Sequence, residues 1–353
     1  MASSPNETSQ NDTELGFSRS HSVGETDTVW ALWTTIVAAV SLLSVFANLT
    51  VIFVVSKIEY LLEYSKYFIL SIALADFGNG LVCSLAIVPS ITGEWPYGRV
   101  VCKLQTILSL TFTAVSVTGI LEIHMERFVA IEKPLHYYSI LSKRKCLGVI
   151  AATWVLYTAF ATLTVVDGGK NTDLYDHMVY QCCPTIIFKK PSMFIYLIVL
   201  VMASPVPSSI GILVINYRIT KLLKRLRTTV NPAVSSHFHA SGVTTLAARA
   251  LTTLPVPDES RGTYRTFIVV ALAFHVSWVP LVVVDSYCFA TDTELNPTLQ
   301  FLLFWLAMSN SFWNFFIYSM RSQKFRNQMK RMVSSCVAHR VTHRVGPKPT
   351  ETR

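Results

Sequence analysis

Charge is what this chain has least of. Only 14% of its 353 residues are Asp, Glu, Lys or Arg, against roughly 25% in an average soluble domain. The charges are missing in blocks. Windows 28–56, 104–121, 146–166, 191–217, 266–284 and 295–320 hold none, and 67–93 holds a single acid, Asp76. A soluble fold is excluded, because a water-facing surface needs polar groups along every element. A helix crosses a bilayer core of roughly 30 Å with about 20 apolar residues, so each window is a candidate membrane span.

Other absences narrow the class further. No series of ten-residue strands alternates apolar and polar residues, so the spans are helices and not the staves of a porin. There is no phosphate-binding glycine loop, zinc-ligand spacing or nucleophile elbow, hence no sign of enzymatic chemistry. Neither an inverted repeat nor a row of acids crosses the spans, which counts against a transporter or ion pump. No charged n-region with a cleavage site precedes the first window, which is expected to act as an uncleaved signal-anchor. The His237-Phe238-His239 triplet lacks companion ligands for a metal.

The charges that are present sort by side. With the N-terminus outside, six of the 30 Lys and Arg fall on outer segments: Arg19, Arg99, Lys103, Lys170, Lys189 and Lys190. The rest lie on inner loops and the C-terminal tail, with Arg127 at the inner end of the third span. Basic excess marks the cytosolic face. The net charge of +9 then answers anionic inner-leaflet lipid and not nucleic acid. The chain is expected to be a multi-pass plasma-membrane protein, N-terminus outside and C-terminus in the cytoplasm. It divides into an extracellular tail (1–28), an all-α seven-helix transmembrane bundle (29–320), a short amphipathic helix on the membrane surface (321–336) and a disordered tail (337–353).

Details agree with that layout. Asn6 and Asn11 begin glycosylation sequons on the outer tail. Of seven cysteines, Cys102 stands at the outer end of the third span, and Cys182 and Cys183 lie in the outer loop before the fifth. An oxidising outer face permits one bridge, from Cys102 to Cys182 or to Cys183. Cys83, Cys146 and Cys288 read as packing residues. Phe325, Met329 and Met332 form one stripe of a basic amphipathic segment, followed by Cys336, a candidate palmitoylation site. Residues 228–262, with Pro232, Pro255 and Pro257, read as a flexible inner linker.

The polar residues inside the spans carry the functional information. Asp76 stands mid-span, where a carboxylate costs about 2.5–3.5 kcal/mol unless it faces protein or water. Asn48, Ser116, Asn310, Ser311 and Asn314 lie at similar depth. An acid among amides and hydroxyls suits a sodium ion or a proton; a plain hydrogen-bonded knot is the other reading. Glu126 and Arg127 close the third span at its inner end. Trp278-Val279-Pro280 interrupts the sixth, where proline deletes a backbone hydrogen bond and kinks the helix.

In this order and spacing the motifs resemble those of the rhodopsin-like (class A) G-protein-coupled receptors. Leu74-Ala75-Asp76, Trp95-Pro96-Tyr97-Gly98 with Cys102 beyond it, Glu126-Arg127-Phe128, Trp154, the set Phe274, Trp278 and Pro280, and Asn314 with Tyr318 carry the resemblance. It extends over all seven spans and the surface helix. It implies an allosteric sodium pocket of Asp76, Asn48, Ser116, Asn310, Ser311 and Asn314, with no enzymatic cofactor. Arg127 and Glu126, with Ala130, Leu135, Tyr217 and Tyr318, would serve G-protein coupling; Phe274, Trp278 and Pro280 would form the switch. The implied partners are a heterotrimeric G protein, arrestin, receptor kinases, the lipid bilayer and an unknown extracellular ligand.

The departures are informative. Phe315 stands for the helix-seven proline, Phe128 for a tyrosine and Ala47 for a glycine. Ser277 stands for a common cysteine, and neither Pro205 nor Pro207 has the usual spacing to Tyr217. Ser260 occupies the place of an acid that in some members locks onto Arg127, with Glu259 beside it, so basal activity is expected. Glu122, one turn from Glu126, has no evident partner. Candidate ligand-pocket residues are Gln105, Ser109, Phe112, Trp278, Asp285 and Trp305. Ser109 stands where amine receptors carry their acid, and Met308 where opsins carry their lysine. The seventh span is closest in style to amine-type receptors and related orphan receptors. A transporter, or a non-signalling scaffold or decoy, is the alternative.

Overall fold

A computed structural model describes residues 23–58, 64–167, 174–183, 208–222, 258–291 and 293–344. Ten α-helices, a 3-10 turn (Pro134–His136) and one small hairpin make up these segments. They are α1 (Val23–Ser56), α2 (Ser65–Ser84), α3 (Ile87–Thr92), α4 (Gly98–Glu132), α5 (Tyr137–Ile140) and α6 (Lys143–Asp167). Then come β1 (Tyr175–Asp176), β2 (Gln181–Cys182), α7 (208–222), α8 (Asp258–Thr291), α9 (Pro297–Arg321) and α10 (Gln323–Arg344). Among the described residues, six stretches are long and apolar enough to cross a membrane. The remaining window, 191–217, lies mostly outside the described residues and meets them in α7.

The second span is broken between α2 and α3, where the amides of Leu85 and Ala86 bond back three residues to Val82 and Cys83. Pro89 explains the break, because its ring clashes with the carbonyl four residues earlier. Gly93 ends α3 in the left-handed region at φ +78°, which a residue without Cβ adopts at no cost. By contrast α8 runs unbroken through Pro280. The expected interruption is only the loss of one bond to the Val276 carbonyl within a continuous helix. Asn296 caps α9 by accepting from the amides of Thr298 (3.0 Å) and Leu299 (3.3 Å), with Pro297 at the first helical position, where a missing donor does no harm.

Packing follows the order of a closed bundle. α1 lies on α2 and α9, α2 on α4, α4 on α6, and α8 on α9. At Gly80 a Cβ would come within 2.9 Å of the backbone nitrogen of Val45, so the α1–α2 approach at the level of Asp76 depends on that glycine. Large apolar side chains such as Phe46, Val155 and Leu163 point outward, as lipid-facing surface does. An inner core cluster includes Val54, Ile72, Ile120, Ile212 and Phe274. An outer one includes Val37, Cys83, Tyr180, Phe301 and Trp305. Trp278 packs against both.

Two expectations are corrected. The surface helix does not stop at Cys336. It continues to Arg344, because no glycine or proline occurs before Gly346 and Pro347. Residues 337–344 of the expected disordered tail are thus helical. Glu122 does have a partner, the Thr153 hydroxyl of α6, which donates to its carboxylate at 2.6 Å. Asn6, Asn11, the Ser260 side chain and the Cys336 side chain lie outside what is described.

Candidate functional site

The bundle carries three polar levels, and the middle one is built on Asp76. This carboxylate is buried in α2. Asn314 of α9 donates to it at 3.0 Å, and the hydroxyls of Ser116 and Ser311 lie beside it. Asn48 donates to the carbonyls of Ser44 (2.9 Å) and Ser311 (2.7 Å), pinning α1 to α9. Asn310 is buried at the same level of α9. One member escaped the sequence reading: Asn79 donates to the Ser311 hydroxyl at 3.2 Å. Its spacing of three from Asp76 puts both on one helix face, and that was the available signal. The donor set fits a small hard cation. Asn48 Oδ1 is buried without a hydrogen-bond partner, and the carboxylate has the hydroxyl oxygens of Ser116 and Ser311 beside it; oxygens are the ligands such ions take.

The inner level centres on Glu126. Its Oε2 lies 2.9 Å from Arg127 Nε and accepts from Ser65 of α2 at 2.6 Å. Its Oε1 accepts from the Tyr137 hydroxyl of α5. Glu126 and Arg127 are both buried, so removing one partner strands the other charge. Burial, then the charge of Glu126, pushes the Tyr137 phenol above its usual range, which keeps it a donor. Tyr64 stacks on Tyr137 with ring centroids 5.5 Å apart. Ser65 and Tyr137 carry no motif and were invisible in the sequence. Leu135 beside them is 93% exposed, open to a partner, and Ala130 is half-buried. Tyr217 is placed on the exposed side of α7 under Lys221, and Tyr318 in the core against Phe325.

The outer level is roofed by the β1–β2 hairpin, paired Tyr175 to Cys182 and Asp176 to Gln181. A disulfide joins Cys102 of α4 to Cys182, which resolves the choice left open by sequence. Cys183 is a buried thiol whose Sγ lies 3.9 Å from Asp176 Oδ2. Gln105 donates to the Val82 carbonyl at 3.2 Å and accepts from the Cys182 amide at 3.0 Å, so it braces the roof. Gln300 of α9 donates to Asp176 at 3.1 Å. Tyr180 has a left-handed backbone, φ +59°, and packs on Phe301 and Trp30. Trp305 is buried beneath it. Phe112 packs edge-on against Trp154, with Gly78 opposite; Ser109 is half-buried and Asp285 exposed. A cavity of about 290 Å³ opens outside the disulfide, between Glu94, Trp95, Arg99, Tyr175 and His177.

A helical membrane bundle with a roofed outer level, a buried mid-span carboxylate and an arginine held at its inner end is the architecture of a seven-helix receptor. The family description "7 transmembrane receptor (rhodopsin family)" matches residues 47–318. The chain belongs to this family, the class A G-protein-coupled receptors. It is 26% identical to G-protein coupled receptor 52 of Mus musculus over 326 residues, covering 90% of this chain and 86% of that one. It is 28% identical to trace amine-associated receptor 5 of Rattus norvegicus over 306 residues, covering 83% and 82%. The crystal structure of squid rhodopsin superposes with a TM-score of 0.71 at 18% identity, covering 88% of this chain and 87% of that one.

Proposed function

We propose that this receptor passes an extracellular signal to heterotrimeric G proteins by opening its inner face at Arg127, and that it does so measurably without ligand. The observation that carries the reading is the Glu126 knot. One carboxylate holds Arg127, α2 and α5 together, so the arginine is released only when that knot loosens. Trp278 touches the outer and inner core clusters alike, which couples a change at the roof to the inner half of α8. Outward movement of that half opens a groove for a G-protein helix. Leu135, Ala130, Tyr217 and Tyr318 would line or approach it. A ligand shifts the two packings only by its differential affinity for them; moving from 1:99 to 99:1 takes about 5.5 kcal/mol.

A sodium ion, held by Asp76 with Asn48, Ser116, Asn310, Ser311 and Asn314, would neutralise the buried carboxylate and favour the closed packing. Ser260 and Phe128, standing where the family resemblance places an acid of some members and a tyrosine, support basal activity. On this reading the chain has no catalytic chemistry of its own. Its N-terminus faces outward with Asn6 and Asn11 glycosylated, Cys336 anchors the surface helix, and arrestin and receptor kinases act on the active state.

The test is nucleotide exchange on purified G-protein heterotrimers of each family, with the full chain in lipid nanodiscs. Exchange above that of empty discs, lost in Arg127→Ala, is expected. No acceleration on any heterotrimer would leave a scaffold or decoy as the better reading.

A further inference from the structure

The cavity of about 290 Å³ outside the disulfide is used by none of the three polar levels. Among the described residues its walls come from the first outer loop, the first turn of α4 and the roof hairpin: Glu94, Trp95, Gly98, Arg99, Tyr175 and His177, with the Cys102 end of the bridge behind them. None of the candidate ligand-pocket residues of the bundle lines it. The walls are held without any charged side chain. Trp95 Nε1 donates to the Gly98 carbonyl at 2.9 Å. The Tyr175 hydroxyl donates to the Gly93 carbonyl at 3.4 Å, and His177 Nδ1 lies 3.3 Å from the same oxygen. The Trp95 and Tyr175 rings stand 5.9 Å apart, and His177 meets Tyr175 edge-on at 4.5 Å. Gly93 and Gly98 turn the loop in the left-handed region, at φ +78° and +76°, where a residue without Cβ sits freely.

Two opposite charges are left over on this rigid frame. Glu94 and Arg99 both line the cavity and both are exposed. Among the described residues neither side chain makes an ion pair or a hydrogen bond, with the other or with anything else. Their signs decide what the cavity takes. A simple cation drawn to Glu94 meets Arg99 in the same small space, and a simple anion drawn to Arg99 meets Glu94. A molecule carrying both charges satisfies both groups. Trp95 adds an apolar wall and a ring face that attracts an ammonium. The volume is at the small end for ligand pockets, which suits a molecule of amino-acid or dipeptide size and not a lipid or a folded partner.

We propose that this cavity is a binding site for a small zwitterion, a free α-amino acid or dipeptide, with its carboxylate on Arg99, its ammonium on Glu94 and its apolar side chain against Trp95 and Tyr175. The site lies apart from the Arg127 knot and from the mid-span carboxylate, so it goes beyond the signalling reading and neither depends on the other.

Three matched probes test it on the purified full chain at constant ionic strength: tryptophan, tryptophanamide, which keeps only the ammonium, and N-acetyltryptophan, which keeps only the carboxylate. Thermal unfolding is followed as each is titrated. Tryptophan is expected to raise the midpoint in a saturable way and to bind more tightly than either capped form, by up to about fivefold, the reach of one exposed ion pair. In Arg99→Gln the advantage of tryptophan over tryptophanamide is expected to vanish while its advantage over N-acetyltryptophan stays. In Glu94→Gln the two advantages exchange. Both side chains are exposed and unbonded, so each variant alone is expected to unfold at the temperature of the parent. No saturable rise with tryptophan, an equal rise with all three probes, or advantages that survive in both variants overturns the proposal. Nucleotide exchange is measured separately: tryptophan binding without exchange would sink the signalling reading alone, and exchange without tryptophan binding would sink this one alone.

Discussion

The Tyr137 hydroxyl donates to Glu126, the carboxylate that also pairs with Arg127. A residue of the second inner loop therefore controls how firmly the inner-face arginine is held.

Tyr137→Phe deletes one hydrogen bond to Glu126, worth about 1 kcal/mol. The closed packing loses that support, and basal nucleotide exchange should rise about fivefold at equal surface expression. Ser65→Ala, which removes the 2.6 Å bond from α2, should act in the same direction. Basal rates equal to the parent in both variants would show that the knot does not restrain Arg127.

Asp76→Asn keeps the shape of the mid-span site and removes its charge. Raising sodium at constant ionic strength should increase the unfolding temperature of the parent and leave the variant unmoved, with potassium as control. An identical sodium response in both would withdraw the pocket.

The bridge assignment separates two adjacent cysteines. Cys182→Ser should lower stability by roughly 2–5 kcal/mol, the usual cost of losing a native disulfide, and yield a free Cys102 thiol by mass mapping under non-reducing conditions. Cys183→Ser should keep the Cys102–Cys182 peptide intact.

Gly80→Val places a branched side chain where even a Cβ meets the Val45 backbone nitrogen at 2.9 Å. Backbone cannot swing aside, so overpacking of about 1–3 kcal/mol is expected, read as a lower unfolding temperature and reduced surface yield. The exposed Gly148, with nothing near its Cβ position, should accept alanine without loss.

What was legible in the sequence followed from lipid as solvent. Charge-free windows gave the spans because a bilayer core tolerates few charges, and Asp76 stood out because it broke that pattern. The mid-span set was found by depth alone. Asn79 was missed although its spacing was readable, since an asparagine beside an aspartate adds little to a hydropathy signal. Ser65 and Tyr137 were illegible for another reason: they reach Glu126 across 61 and 11 residues of chain, and common residues in loop-proximal positions carry no period. Thr153 as the partner of Glu122 was hidden likewise, 31 residues away on a neighbouring helix. The choice between Cys182 and Cys183 turned on the register of a two-residue hairpin, which no composition records.

The roof hairpin is held to α4 by the Cys102 disulfide and by Gln105 on the Cys182 amide, and to the first turn of α9 by Gln300. A molecule that enters between the hairpin and α9 must displace the Gln300–Asp176 bond, and must displace it again to leave. Association and dissociation should therefore both be slow and share one gate. Gln300→Ala should speed the two rates together and change the equilibrium constant far less.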